Sequence, residues 1–273
     1  MVTNKYQTLE EDRRGAICIL YLNRPERLNA VSIQLVTDLN HFLTEMRDDH
    51  QIRVIILRGN GRAFCAGSDL TELSSEPPPE QGMGRVQYTY YRMQQAVSDI
   101  ILNMRRCPQP IIGAIHGFAV GAGFSMALAC DIRIVGESVR MNAGYVRVGL
   151  SGVDMGSSYF LPRIIGFSRA AEYLYTGRFI DAATADRFGM VSKVVPDDKL
   201  NDAALELAEE ILQNAPFGVR LSKEVLNISI DAPSLDSAIK MENRTQVLCL
   251  STEDGKEGIR AMMDKRKAEY HNL

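Results

Sequence analysis

Apolar and polar positions change their period along the chain, and each change marks an element. Residues 15–22 read as a strand that Asn23, Arg24 and Pro25 bring to an end. Ser32 is an N-cap candidate ahead of Leu35, Val36, Leu39, Phe42, Leu43 and Met46, which share one helix face. Residues 54–57 are apolar at every position, the mark of a strand buried on both sides, and Gly59, Asn60 and Gly61 close it. A polar, proline-rich loop is expected over 74–84, then a long helix from Val86 to Met104 with Pro108 and Pro110 at its exit. Strands at 111–116, 132–135 and 139–141 and a loop reaching Asp154 follow. From Asp197 the pattern is helical: 197–213, 217–229, 234–250 and 254–268.

Strands thus alternate with helices to about residue 195, and helices alone finish the chain. That order predicts an α/β fold with a helical tail. Leu235, Ile239, Val247, Leu248, Ile259, Met262 and Met263 in the tail fit either a subunit interface or packing on the chain's own core.

Composition narrows the function classes. The 273 residues suffice for one large domain, or one domain with a helical appendage. A net charge of −3 gives no reason to expect nucleic acid or an anionic membrane as partner. The five cysteines are odd in number and contain no CxxC pair, so a reduced, intracellular protein without a metal site is expected. The first residues have no signal-peptide pattern, and no run approaches the roughly 20 apolar residues of a membrane span. The expected location is the cytoplasm.

Chemistry concentrates in two glycine turns. Residues 114–131 read as a buried strand, a turn with Gly117, Gly121 and Gly123, and a closely packed helix. A helix start presents unpaired amides and the positive end of its dipole, which favours negative charge. Phe64 to Leu70 forms a second such turn. Two turns converging on one oxyanion is the geometry that stabilises a thioester enolate.

These turns, with residues 22–30, Leu161-Pro162-Arg163, Gly166, 175–178, 189–191 and 265–268, resemble the crotonase superfamily, or enoyl-CoA hydratase/isomerase family. The resemblance covers nearly the whole chain. It implies a spiral of ββα turns over 1–196 and a helical region over 197–273 that builds a homotrimer or a hexamer. It implies an acyl-CoA thioester as substrate and no separate cofactor, coenzyme A being part of the substrate. By resemblance, the backbone amides of Ser68 and Ala122 are the oxyanion donors, with Ala66, Asp69, Leu70 and Gly121 around them. Arg24, Arg27, Leu28 and Ala30 match the adenine and phosphate end. Lys265 and Lys267 resemble basic residues that the last helix contributes, from the same or a neighbouring subunit. The alternative for these lysines is a cationic helix end that complements the dipole.

The chain also departs from the family. The two glutamates that activate water in the hydratases fall at Ser125 and Val146, neither of which suits that task. Asp154 resembles the catalytic aspartate of dienoyl-CoA isomerases and aroyl-CoA dehalogenases. It equally suits a helix N-cap before Met155, Gly156 and Ser157. The dehalogenase pattern is not met, because the chain has no Trp and no His between 51 and 115. His116 is expected to bond backbone at a strand end, Asp131 to anchor the next strand, and Tyr145 and Tyr159 either to line the acyl pocket or to pack. The expected activity is hydration or double-bond isomerisation of an enoyl-CoA. The alternatives are an acyl-CoA-binding protein without efficient turnover, and an acyl-CoA hydrolase or ring-opening lyase.

Overall fold

A computed structural model describes residues 2–3, 5–74 and 82–273. The chain begins with β1 (Val2–Thr3), β2 (Leu9–Arg14) and β3 (Ile17–Leu22), then α1 (Ile33–Glu45), β4 (Val54–Gly59) and the short α2 (Leu70–Leu73). Most of the expected proline-rich loop, residues 75–81, lies outside the described residues. Then come α3 (Arg85–Tyr88), a π-helical turn (Thr89–Gln94), α4 (Gln95–Arg106), β5 (Ile111–Ile115), β6 (Phe118–Val120), α5 (Ala122–Ala129), β7 (Ile132–Gly136) and β8 (Arg140–Asn142). The chain continues through α6 (Ser157–Ile165), α7 (Phe167–Thr176), β9 (Ile180–Asp181), α8 (Ala182–Arg187) and β10 (Lys193–Val195). It ends with α9 (Leu200–Leu212), α10 (Pro216–Ser229), α11 (Leu235–Leu250) and α12 (Glu253–Met263).

The main sheet has the order β1-β2-β3-β4-β5-β7-β10. It is antiparallel from β1 to β3 and parallel from β3 to β10. Both faces are covered, which is why its strands read as continuous apolar runs. Leu20, Leu22, Ile55, Leu57, Ile111 and Ile115 face a core shared with α1, α4 and α5. Their neighbours Ile17, Ile19, Val54, Ile56, Ile112 and Ala114 point the other way, as period 2 requires. On that side they meet Leu200, Ala203, Ala204 and Ala208 of α9. The first helix of the expected tail therefore serves as a layer of the core.

A second, narrower ladder runs beside the sheet. Val31 bridges Ser68, Cys65 bridges Ala119, β6 pairs with β8, and β8 pairs with β9. Each turn of the chain thus supplies one long strand, one very short strand and a helical stretch, giving the expected spiral of ββα turns. Several of its second strands are single-residue bridges, so no repeat shows in the sequence.

Ser32 caps α1 as expected, accepting from the Leu35 amide at 3.1 Å. Two expected helices differ. The run from Val86 is not uniformly α-helical, because residues 89–94 form a π turn. The last helix stops at Met263 rather than 268: Lys265 takes φ +53°, and the Arg266 guanidinium turns back onto Glu257 at 2.6 Å. Among the described residues no helix is long and apolar enough to cross a membrane.

Candidate active site

The two glycine turns lie against each other. Residues 65–69 run between two segments: Val31 donates to the Gly67 carbonyl at 2.7 Å, and Val120 donates to the Cys65 carbonyl at 2.9 Å. Gly67 has φ +100°, and a Cβ there would stand 3.0 Å from the Val120 carbonyl oxygen and 3.9 Å from Gly121 Cα. Gly121 has φ +51° and leads directly into α5. Only glycine combines that backbone with that approach. α5 is buried at every position, so the turn at its start is fixed by packing on all sides. Among the described residues the amides of Ser68 and Ala122 donate to no protein acceptor. The first is turned away from Val31 by the alternation of its short bridge, and the second belongs to the first turn of a helix.

Asp154 stands beside this arrangement and does not cap a helix. The cap of α6 is Gly156, at φ +80°, and no side chain bonds its end. Asp154 Oδ1 instead accepts from Gln94 Nε2 at 2.6 Å and from the Met155 amide at 2.8 Å. Burial pushes its pKa above the ordinary carboxyl value, while those two donors oppose the rise. The Asp154 carbonyl is held too. Ser125 Oγ donates to it at 2.9 Å and lies 2.6 Å from the Tyr145 hydroxyl. A carbonyl only accepts, so the single Ser125 proton goes to Asp154 and the Tyr145 hydroxyl must donate to Ser125. Burial keeps the Tyr145 phenol protonated by raising its pKa. Tyr145 is therefore a satisfied buried residue next to the turns, and a Cβ on Gly121 would lie 3.3 Å from its ring.

The other expected residues divide into two groups. Arg24 is consumed by the fold: its guanidinium donates to the Ala30 carbonyl at 2.6 Å and to Asp69 at 3.1 Å. Asp69 also caps α2 through Thr71, and these donors hold its carboxyl below the ordinary range. Leu28, at φ +52°, offers its carbonyl to the Ala66 amide at 3.0 Å. Arg27 and Leu70 are exposed at the same edge, and Val146 is half-buried. Lys265 is exposed beyond the end of α12 and is not on a helix. Tyr159 leaves the site, its hydroxyl bonded to Asp231 and its ring under Arg163 at 3.7 Å.

His116 bonds the Gly61 carbonyl at 2.9 Å, as a strand-end residue should. Asp131 accepts from the Ile111 amide and pairs with Arg105 and Lys223, so its side chain anchors β5 rather than the strand that follows it. Two roles are not legible in the sequence, that of Asn29 within the 24–30 stretch and that of Gln94. Buried Asn29 donates to the Asn60 and Ala63 carbonyls and accepts from the Arg24 amide, fixing the 24–30 turn. Gln94 reaches Asp154, and nothing in the pattern of a polar helix position signals that contact. Two cavities of about 380 and 360 Å³ lie in the C-terminal helices, lined by residues such as Glu257 and Arg266, and Asp231 and Met241. Neither includes the glycine turns.

The enoyl-CoA hydratase/isomerase family profile matches residues 12–272. The chain belongs to that family. It is 36% identical over 259 residues to a probable enoyl-CoA hydratase of Mycobacterium bovis, covering 94% of this chain and 90% of the relative. It is 32% identical to a 1,2-epoxyphenylacetyl-CoA isomerase of Escherichia coli over 257 residues, covering 93% and 94%. The crystal structure of an enoyl-CoA hydratase from Bacillus anthracis superposes with a TM-score of 0.90 at 34% identity, covering 98% of this chain and all of that one. As a member of the enoyl-CoA hydratase/isomerase family the protein is an enzyme of the lyase or isomerase type. Of the two positions at which the resemblance expects glutamates, Ser125 is spent on the Asp154 carbonyl and Val146 has no proton to move.

Proposed function

We propose that this enzyme moves the double bond of an enoyl-CoA thioester, with Asp154 as its single proton carrier. The observation that carries this reading is the state of that carboxyl. One oxygen is tied by two donors, the other has no partner among the described residues, and burial raises the carboxyl's pKa. The charged form takes a proton from the α-carbon of a 3-enoyl thioester. The electron pair moves into the conjugated system, and negative charge develops on the thioester oxygen. The amides of Ser68 and Ala122 bind that oxygen, each contributing about 3–4 kcal/mol to its stabilisation. Asp154 then returns the proton to the γ-carbon, and a 2-enoyl thioester leaves. No water, oxidant or second acid enters the balance.

The test is conversion of a 3-enoyl-CoA, followed by the gain of conjugated-thioester absorbance. Asp154→Asn should cost about 10²–10⁴ in rate while the fold is kept. Undiminished turnover by that variant would end the reading. A second reading, hydration, is favoured by relatives such as the short-chain-enoyl-CoA hydratase of Clostridium acetobutylicum at 31% identity. It predicts loss of the same absorbance from a 2-enoyl-CoA instead. The hydratases and the isomerase among the relatives give no support to a non-catalytic binder or a hydrolase.

Coenzyme A reaches this site past residues 24–30 in our reading, with exposed Arg27 rather than Arg24 offered to its phosphates. Further copies of the chain cover the C-terminal helices. α11 has no buried residue, and Leu235, Val247 and Met262 are 76%, 63% and 81% exposed. A 16-residue helix in water gains most of its stability by packing an apolar face, so this one requires a cover. Light scattering at micromolar concentration should give a trimer or hexamer, and a monomer would overturn the assignment.

A further inference from the structure

Asp154 passes a proton between two carbons most efficiently when one of its oxygens is held facing them. The terminal torsion of an aspartate is broad and nearly two-fold, so an isolated carboxylate exchanges its oxygens freely. Here both donors bind the same oxygen, Oδ1: the Met155 amide from the adjoining residue and Gln94 Nε2 from a helix 60 residues away in sequence. Gln94 closes the π turn, in which the Gln95 amide bonds the Tyr90 carbonyl five residues back. A π turn inside a helix inserts one residue and re-aims the side chains around it.

The helix beyond that turn is fixed. Asn40 of α1 donates to the Ala96 carbonyl at 2.8 Å and accepts from Asn103 at 2.8 Å, while Ile100, Ile101 and Met104 are buried in the core. Gln94 stands three and seven residues before Val97 and Ile101 and so continues the core-facing side of α4 outward to Asp154. The other groups around Asp154 are neutral. Gln94 approaches from the helix and Ser125 from α5, and protonated Tyr145 lies behind Ser125. Among the described residues no charged side chain contributes to its titration.

We propose that Gln94 is a positioning residue for the reaction, locking Asp154 Oδ1 so that Oδ2 is the oxygen that takes and returns the proton. The inference rests on Asp154 being the proton carrier. Gln94 touches no reacting atom and acts through the carboxylate it holds. The bond is solvent-exposed in the free chain, and a thioester seated over it would shield it and strengthen its hold.

The experiment compares Gln94→Met, of similar length but without a donor, with the unaltered enzyme on a 3-enoyl-CoA. We expect kcat to fall about tenfold to a hundredfold with KM little changed, because the substrate keeps its contacts. The acid limb of the pH–rate profile should move upward by about one unit, since a donor to the charged form is lost. A carbon-13 titration of the Asp154 carboxyl in the substrate-free enzyme, assigned against Asp154→Asn, should show the same upward shift. Gln94 is exposed, so the variant should keep the thermal midpoint of the parent. An inactive Asp154→Asn beside a Gln94→Met with unaltered kcat and profile overturns this inference alone. A fully active Asp154→Asn overturns the reading on which it rests.

Discussion

The Ser125 hydroxyl holds the main-chain carbonyl of Asp154 at 2.9 Å, and the Tyr145 hydroxyl in turn donates to Ser125 at 2.6 Å. The two bonds form a strut from Tyr145 through Ser125 to Asp154. The strut sets the backbone of Asp154, and Gln94 and Met155 set its side chain.

Deleting either end of the strut should therefore have unequal effects. Ser125→Ala leaves the buried Tyr145 phenol without a partner and takes one of two donors from the Asp154 carbonyl, which keeps the Ser157 amide at 2.9 Å, so it should cost about 1–3 kcal/mol in urea unfolding. Tyr145→Phe removes one hydrogen bond and leaves Ser125 bound to Asp154, so about 1 kcal/mol is expected. The double variant should cost less than the sum of the two, because the pair shares one network.

The Asp154 carboxyl has a raised pKa, and the sign of its pH effects follows. The proposed reaction needs the charged form, so the rate should be full above that pKa and fall below it. The acid limb should lie above the roughly 3.9 of a free aspartate. Folding shows the converse. The native site prefers the protonated form, so stability is fully present below the unfolded pKa and is lost as pH rises through the folded one. Asp154→Asn should accordingly be more stable than the parent at neutral pH and equal to it in acid, measured by denaturant midpoint.

Gly67 allows the two turns to touch. Gly67→Ala places a methyl 3.0 Å from the Val120 carbonyl oxygen at φ +100° and should destabilise by more than about 1 kcal/mol. It should also displace the Ser68 amide, with a loss of about 10²-fold in kcat. Gly15→Ala is the control: φ is +58° there, but nothing lies within 4 Å, so stability should fall and kcat should hold.

Lys223 of α10 is buried and donates to the Met104 and Gln109 carbonyls and to Asp131. Lys223→Ala strands these acceptors and should cost about 3 kcal/mol, since breaking a buried pair from one side leaves its partner uncompensated. Arg105 still pairs with Asp131, which keeps the loss at the low end. Hydrogen exchange should show α10 released from the core before the sheet opens.

The sequence by itself determined what depends on burial within one element. The apolar runs of β3, β4 and β5, the Ser32 cap, the helical C-terminal run and the two glycine turns are all legible, because period and backbone permission are local properties. Tertiary structure alone decided what depends on separate elements meeting. The second strands of the spiral shrink to bridges such as Val31 with Ser68, too short to leave a period. Arg24, a cation beside a phosphate-end motif, is drawn to Asp69 and the Ala30 carbonyl. Asp154 had two sequence-compatible roles, capping and chemistry. Capping was ruled out when Gly156 took the cap, and Gln94 arrived at the carboxyl from a helix 60 residues away, because a hydrogen bond between distant elements is set by how whole layers pack.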